Sequence, residues 1–182
     1  MTFTFEKLDL EGLTLVKSDI YKDARGLFSE LNKQSFLRDS GISCNFVQDN
    51  FSVSKYGVVR GLHFQRKPFS QAKLVHVLRG EICDVVVDLR LNSATFKEHA
   101  KVNLSSDLGN SLYIPEGFAH GFCSLKDNTI VMYKNSKEYN QESELGLKWD
   151  DPEIGINWPI NEPILSNKDS LNYNFNDLIE FL

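Results

Sequence analysis

No apolar segment in this 182-residue sequence approaches the roughly 18 to 20 residues that a membrane-spanning helix needs. Residues 1–10 also lack the basic start and the apolar run of a signal peptide. Basic residues are not in excess, because 20 Lys and Arg stand against 25 Asp and Glu, for a formal net charge of -5. Proteins that neutralise nucleic-acid phosphates normally carry a basic surface. We therefore expect a cytoplasmic protein that binds neither a membrane nor a nucleic acid.

The sequence is also poor in redox and metal motifs. Its three cysteines, Cys44, Cys83 and Cys123, are too far apart for a CxxC motif, and their odd number does not suit a disulfide framework. We interpret them as buried thiols in a reducing compartment. His63 has no second histidine within ten residues on either side, so the His-x-His pattern of metal-binding barrels is missing. We expect no metal and no cofactor.

The length of 182 residues is within the range of one domain, and we expect a single domain over residues 1–182. Short runs rich in β-branched and aromatic residues recur with turn residues between them. This pattern predicts an all-β sandwich or barrel. Examples of the predicted strands are residues 46–53, 58–64, 73–78, 82–89 and 129–134.

The connections carry further signals. Arg79, Gly80 and Glu81 are interpreted as a tight hairpin turn. In the strand that follows, alternate positions from 83 to 89 are all apolar, so that face should contact a core. Short helices are predicted only at 33–39 and 176–182, and the proline-containing segment 150–163 is predicted to be irregular.

A longer pattern begins at Gly109 and ends with Pro115, Glu116, Gly117, Phe118, Ala119 and His120. It resembles the second motif of the cupin superfamily, in which a Pro-x-Gly turn brings a histidine to the mouth of a barrel. The resemblance implies a double-stranded β-helix, the jelly roll of cupins, with a few short peripheral helices. His120 would then be a polar residue of the pocket.

Further blocks occur in the order typical of one family. The sequence resembles the dTDP-4-dehydrorhamnose 3,5-epimerases over most of its length, from Asp23 to Asp169. This resemblance implies a cofactor-independent epimerase that acts on a nucleotide-diphosphate sugar, as a homodimer. The matching blocks are residues 23–30, 46–50, 59–65, 71–75, 80–90, 114–122, 132–134, 149–159 and 165–169.

The chemistry of such an enzyme requires a base, a group that stabilises an enolate oxygen and an acid, because a 4-keto group acidifies the protons on C3 and C5. The resemblance implies that His63 is the base and that Asp169 orients it. Lys73 would lie beside the enolate oxygen, and Tyr133 would be the acid. Lys73 shares a strand face with two valines, so we expect it to point into the barrel.

The resemblance also implies a set of substrate-binding residues. Arg25 and Arg60 would contact the diphosphate or the sugar, since a guanidinium matches phosphate oxygens. Tyr139 would stack on thymine. The remaining implied contacts are Glu30, Gln48, Asp49, Asn50, His120, Glu144 and Lys168.

Some positions depart from the family pattern, namely Phe51, Ala72, His76 and Glu138. They leave open an epimerase that acts only at C3, or one that uses a CDP- or GDP-linked 4-keto sugar. A non-catalytic cupin that binds a sugar nucleotide is an alternative of another class, although it would be expected to lose a catalytic residue. A metal-dependent cupin is the third alternative.

Overall fold

The structure is a computed structural model that describes residues 2–182. Most of its regular secondary structure consists of short β-strands, as the alternation of apolar residues predicts. The strands are β1 (Phe3–Lys7), β2 (Thr14–Ser18), β3 (Tyr21–Asp23), β4 (Gly26–Phe28), β5 (Gln48–Ser54), β6 (Val59–Gln65), β7 (Lys73–Arg79), β8 (Glu81–Asp88), β9 (His99–Ser105), β10 (Asn110–Ile114), β11 (Phe118–Ser124), β12 (Thr129–Asn135) and β13 (Glu144–Gly146).

The helices are short and peripheral. They are α1 (Gln34–Asp39), α2 (Asn167–Ser170) and α3 (Phe175–Leu178), with 3-10 turns at Gln141–Ser143 and Ile179–Phe181. Both helices predicted from the sequence are present, although the second is split into α3 and a 3-10 turn. Among residues 2–182, no helix is long and apolar enough to cross a membrane.

Two antiparallel sheets form the barrel. One has the strand order β1-β2-β10-β7-β12-β5 and the other β13-β6-β11-β8-β9, while β3 and β4 form a separate hairpin. From β5 to β8, and again from β9 to β13, consecutive strands alternate between the two sheets. This alternation is the double-stranded β-helix, so the predicted jelly-roll fold is confirmed.

The interpretation of residues 79–81 as a hairpin is wrong in one respect. The turn is present, but β7 pairs with β10 and β12 whereas β8 pairs with β9 and β11, so the turn joins the two sheets. Gly80 has a φ of +85°, and a Cβ there would lie 2.5 Å from Thr129 Oγ1. Only glycine suits this corner without strain, because it accepts a positive φ and has no side chain.

The five-stranded sheet is covered on both faces. Ile82 and Val86 of β8 pack inside the barrel, whereas Val85 and Val87 pack outside it, under the C-terminal part of the chain. This outer cover includes Ile154, Ile156, Trp158, Phe175 and Leu178. The predicted apolar face of β8 therefore contacts a core, but that core lies outside the barrel. The segment 150–163 is irregular, as predicted, and forms part of this cover.

The outer face of the six-stranded sheet is covered only in part. Leu37 of α1 packs with Val16 and Leu74 over one half of this face. The other half, formed by β5, β12 and β7, leaves Phe51 74% exposed and Val53 51% exposed. We call this half, defined by Phe51, Val53, Leu78, Ile130 and Met132, the bare sheet face.

Candidate active site

A cavity opens at one end of the barrel, where the two sheets present polar side chains inward. At this end β6 stops at Gln65, β7 starts at Lys73 and β12 stops at Asn135. The strand register aligns Asn135 with both Lys73 and Gln48. The volume of the cavity is about 80 Å³. Its walls are formed by Gln48, Asn50, His63, Phe64, Gln65, Gln71, Lys73, Tyr133, Asn135, Tyr139 and Glu144.

His63 and Asp169 form a hydrogen-bonded pair in this wall. His63 Nε2 lies 2.7 Å from Asp169 Oδ1, and the side chains are 30% and 6% exposed, respectively. Burial would raise the pKa of Asp169, but the hydrogen bonds that it accepts, above all from His63, hold it below its ordinary value. The carboxylate is therefore ionised near neutral pH and can orient the imidazole and stabilise its protonated form.

Local structure fixes both members of the pair. Ser166 is the N-cap of α2, and its side chain accepts a hydrogen bond from the backbone N–H of Asp169. The backbone N–H of Gly61 donates to Asp169 Oδ2 at 3.4 Å. Gly61 has a φ of +130°, and a Cβ there would lie 2.5 Å from the Cα of Gly121. Glycine at this position thus allows β6 to approach β11 closely, two residues before His63.

Lys73 reaches the same cavity from the opposite sheet. Its side chain is on the inward face of β7, together with Val75 and Val77, as the sequence predicts. The residue is 8% exposed, and Nζ donates to the backbone carbonyl of His63 at 3.5 Å. Burial lowers the pKa of Lys73 to about 8, because the charged amine loses hydration. Lys73 is therefore a cation at pH 7 that is largely withdrawn from water.

Tyr133 stands beside Lys73 on the neighbouring strand. It pairs with Val75 of β7 and with Asn50 of β5, which puts its side chain on the inward face of the six-stranded sheet. Burial raises the pKa of Tyr133 above its ordinary value, against the opposing effect of Arg60. The phenol therefore stays protonated near pH 7. A protonated phenol and an imidazole thus approach the cavity from opposite walls.

The rim of the cavity contains a second polar cluster. Glu144 Oε2 accepts hydrogen bonds from Lys168 and, at 2.6 Å, from the hydroxyl of Tyr139. Burial would raise the pKa of Glu144, but these two hydrogen bonds hold it below its ordinary value. Tyr139 is 52% exposed, so one face of its ring is free to stack on a planar ligand.

Glutamine side chains hold the loop that carries Tyr139. Gln48 Oε1 accepts from the backbone N–H of Tyr139 at 2.7 Å, and Gln65 Oε1 accepts from that of Asn140 at 2.7 Å. Gln71 Nε2 donates to the backbone carbonyl of Lys137 at 2.7 Å. The position of the tyrosine is therefore coupled to β5, to β6 and to the segment before β7.

Seven of the predicted site residues do not line this cavity. Two of them, Asp169 and Lys168, bond to the lining residues His63 and Glu144, whereas the other five make different contacts. Arg25 is in the β3–β4 hairpin, where its exposed side chain pairs with Asp23, and Glu30 follows that hairpin. Asp49 pairs with Lys134 at 2.7 Å on the outer face of the sheet. Arg60 donates to Ser54 Oγ and to the Val53 carbonyl at the edge of the site. His120 is inside the barrel, where its Nε2 is 2.9 Å from Asp84 Oδ2.

The sequence analysis missed four polar residues of the site region. Gln65, Gln71 and Asn135 line the cavity, and Asp84 lies inside the barrel. Within residues 2–182, the buried Oδ1 of Asn135 accepts no hydrogen bond, so it could accept one from a ligand hydroxyl. Asp84 has the same strand parity as Ile82 and Val86, which is the face opposite to the one expected to contact a core, so no signal in the sequence pointed to it. In the same part of the chain, no three His, Cys, Asp or Glu side chains converge as metal ligands would.

Comparisons with known proteins identify the family of the chain. The family model for dTDP-4-dehydrorhamnose 3,5-epimerase matches residues 7–177. A protein of that name from Methanothermobacter thermautotrophicus is 48% identical over 171 residues, which are 92% of this chain and 91% of the relative.

Two solved structures extend the comparison. The dTDP-4-dehydrorhamnose 3,5-epimerase of Bacillus anthracis, with TDP and pyrophosphate bound, has a TM-score of 0.92 at 42% identity, covering 94% of this chain and 99% of that one. The dTDP-6-deoxy-D-glucose-3,5-epimerase of Legionella pneumophila, in complex with dTDP-4-keto-L-rhamnose, has a TM-score of 0.90 at 40% identity, covering 94% and 92%. The chain thus belongs to the dTDP-4-dehydrorhamnose 3,5-epimerase family.

Proposed function

We propose that this epimerase inverts C3 and C5 of dTDP-4-dehydro-6-deoxy-D-glucose and releases dTDP-4-dehydro-L-rhamnose, without a cofactor. The observation that carries the proposal is the meeting of the His63–Asp169 pair, Lys73 and Tyr133 in one cavity, with His63 and Tyr133 on opposite walls. Epimerisation requires removal of a proton from one face of a carbon and delivery of a proton to the other. Two groups on facing walls suit this requirement.

In the proposed first step, His63 takes the proton from the carbon next to the ketone. The electron pair of the C–H bond moves to the C4 carbonyl and forms an enolate, while Asp169 stabilises the imidazolium. Lys73 stabilises the enolate oxygen as a preorganised cation, a contribution that is typically about 10²- to 10³-fold in rate for one such donor. Tyr133 then delivers its proton to the opposite face and is left as a phenolate. Exchange with solvent removes the proton from His63 and returns one to Tyr133, after which the second carbon reacts in the same way.

The nucleotide is expected to extend out of the cavity. A volume of about 80 Å³ is smaller than the roughly 300–1,000 Å³ of ordinary small-molecule sites, so it accommodates only part of a nucleotide sugar. We propose that Tyr139 stacks on the thymine, and that Gln48, Asn50, Glu144 and Lys168 bind the polar groups between base and sugar. Arg60, at the edge of the site, would pair with the diphosphate.

We further propose that the protein is a homodimer that forms through the bare sheet face. In the register of the sheet, Phe51 pairs with Met132 and Val53 pairs with Ile130, so the apolar residues of this face are contiguous across β5 and β12. Leu78 of β7, the strand next to β12, is also exposed. Contiguous exposed apolar surface commonly marks a protein–protein interface. Arg25 and Glu30 lie outside their own cavity, and we propose that a dimer brings them, with the backbone around Asp49, to the partner's substrate.

A hybrid dimer tests this arrangement. We expect Arg25→Ala and His63→Ala homodimers to be nearly inactive. A hybrid of one chain of each kind, purified through two different tags, would contain one intact site and should have about half of the wild-type activity. If Arg25 serves its own chain, both sites of the hybrid are defective, and an inactive hybrid would therefore refute the exchange.

The three free cysteines, Cys44, Cys83 and Cys123, favour a reducing location, and we propose the cytoplasm. We also propose that residues 1–182 form a single domain. Reduction of the remaining C4 ketone of the product would give dTDP-rhamnose, which assigns the reaction to dTDP-rhamnose biosynthesis and so to the supply of surface polysaccharides.

The substrate is tested by incubating the protein with dTDP-, CDP- and GDP-linked 4-keto-6-deoxyglucose and determining the product configuration by proton NMR. We expect inversion at both C3 and C5 with the dTDP sugar. Inversion at C3 alone would identify a 3-epimerase, and preference for CDP or GDP would correct the nucleotide. Binding without any inversion would support the non-catalytic cupin.

A further inference from the structure

Asp84 is a buried acid that takes no part in the proposed mechanism. Its side chain is fully buried on the inward face of β8, among apolar residues of the barrel interior. Oδ2 lies 2.9 Å from His120 Nε2, and in the part of the chain that the structure describes, the buried Oδ1 accepts no hydrogen bond. Burying a carboxylate costs several kcal/mol unless cations and hydrogen bonds compensate. A buried carboxylate therefore contributes little to packing, which points to a functional role for Asp84.

Two groups, a hydrogen-bonding ring and a cation, can offset the cost of burying Asp84, and they come from different strands. His120 reaches it from β11 of the same sheet, and Lys73 acts on it from β7 of the other sheet. Of the groups that oppose the effect of burial on the pKa of Lys73, Asp84 is the largest and Glu144 the next. Burial raises the pKa of Asp84 itself, and His120 and Lys73 counteract this effect. The other titratable groups that line the cavity are His63, Tyr133 and Tyr139, and Asp169 and Lys168 bond to its wall.

We propose that Asp84 is a positioning residue for Lys73, the cation that binds the enolate. Asp84 fixes the ring of His120 through Nε2 and balances the charge of Lys73 inside the barrel. The inference rests on the proposed function, in which Lys73 stabilises the enolate. An ionised Asp84 requires the proton of a neutral His120 to be on Nε2, so it also fixes the tautomer of the ring. Without the carboxylate, Lys73 would have to keep its charge in the barrel with only Glu144 in support.

The substitution Asp84→Asn tests this role because it removes the charge and keeps an oxygen that can accept from His120. The quantity to measure is kcat/KM from pH 6 to 10, because its profile reports groups of the free enzyme. In the wild-type enzyme, kcat/KM should fall as pH rises past about 8, because Lys73 loses its charge there. In Asp84→Asn we expect this fall to occur about one pH unit lower, since loss of a nearby negative charge lowers the pKa of a lysine by about this amount. The wild-type rate would then exceed the variant rate by about fivefold at pH 8 and by less than about 1.5-fold at pH 6.5.

Two further variants make the profile interpretable. Lys73→Met should lose the transition near pH 8, which assigns that transition to Lys73. Asp88→Asn is the matched control, because Asp88 is on the same strand and equally buried but bonds to Arg90 and Ser93. This control should be less stable and should keep the wild-type profile. A purely structural role for Asp84 would likewise lower stability, or lower the rate by one factor at every pH.

A second measurement tests the inference on the wild-type protein if Asp84→Asn does not fold. Nitrogen-15 NMR of the wild-type protein, with His120 assigned from a His120→Gln spectrum, should show a proton on Nε2 throughout pH 6.5–8. A neutral ring with its proton on Nδ1 would refute the inference. So would parallel pH profiles, or an Asp84→Asn variant that is folded but inactive at pH 6.5. Failure of the wild-type enzyme to act on any 4-keto sugar nucleotide would instead refute the proposed function.

Discussion

The substitution Asp169→Asn perturbs the proposed base through its partner alone. Asparagine has nearly the same shape and can still accept a hydrogen bond at Oδ1, and its backbone N–H can still donate to Ser166 Oγ. Its Nδ2 cannot accept from the Gly61 N–H as Oδ2 does, but that bond is long at 3.4 Å. What is lost is the negative charge 2.7 Å from His63 Nε2, in a position where the carboxylate side chain is only 6% exposed. We expect the imidazole to be held less well and its protonated form to be less stable during proton transfer.

The magnitude follows from the type of bond. A hydrogen bond to a charged group contributes about 1.5–3 kcal/mol, and about 1.4 kcal/mol corresponds to a tenfold change in rate. The expected fall in kcat/KM is therefore about 10- to 150-fold. The bond supports a group that reacts, so the loss should occur mainly in kcat, with a small change in KM.

The assay is the initial rate of epimerisation of dTDP-4-dehydro-6-deoxyglucose, followed by NMR at pH 7.5. The control is Asp150→Asn, the same chemical change at an exposed site where the nearest cation, Lys148, is 3.5 Å away. The control should retain the wild-type rate. A folded Asp169→Asn protein whose rate is within twofold of the wild type would refute the role given to this pair.

Three further predictions concern the other buried polar groups. Tyr133→Phe should reduce formation of the inverted product by at least about 100-fold, yet exchange of the C3 proton with deuterated solvent should continue because the base is intact; loss of exchange as well would contradict a separate acid. Lys73→Met should reduce kcat/KM by about 10²- to 10³-fold and raise the melting temperature at pH 7. Burial lowers the pKa of Lys73 to about 8, so folding at pH 7 removes a charged amine from water at a cost in stability. This cost decreases above pH 8 and is gone once pH exceeds the ordinary pKa of lysine, so the gain in melting temperature should disappear over the same range. Burial would raise the pKa of Asp88, but hydrogen bonds, chiefly from Arg90 and Ser93, hold it at about 2. Asp88→Asn should therefore cost about 1–2 kcal/mol of unfolding free energy at pH 7, after allowance for solvent screening, and the difference should disappear as pH falls from about 4 towards 2.

The strands were predictable from the sequence because the alternation of apolar residues is local. Residues 73–78 were predicted as a strand, and β7 is Lys73–Arg79. Which strands pair was not predictable in this way, since partners in a jelly roll are far apart along the chain. At Gly80 a local turn signal was therefore interpreted as a hairpin, although the chain passes there from one sheet to the other.

The site was predictable to a different degree. His63 and Asp169 are separated by 106 residues, so no local pattern could indicate that they bond, and their pairing was expected only from the family resemblance. Lys73 was predicted to point inward from strand parity alone, and the structure agrees. Parity did not indicate Asp84 in this way, because the apolar face of β8 that was expected to contact a core is the opposite one, which lies outside the barrel. The positions of Arg25 and Glu30 outside the cavity follow from no local pattern, because one chain does not contain the surface that we propose to complete the site. Only the homodimer that the family resemblance implies pointed to a contribution from Glu30 or its neighbours across an interface.

The most direct test of the central claim is incubation with dTDP-4-dehydro-6-deoxyglucose in heavy water, followed by mass spectrometry and proton NMR to count deuterium at C3 and C5. The account predicts deuterium at both carbons, and no deuterium at either carbon with His63→Ala. Deuterium at C3 alone would limit the enzyme to that carbon. Unchanged incorporation with His63→Ala would contradict the assignment of the base, on which the mechanism depends.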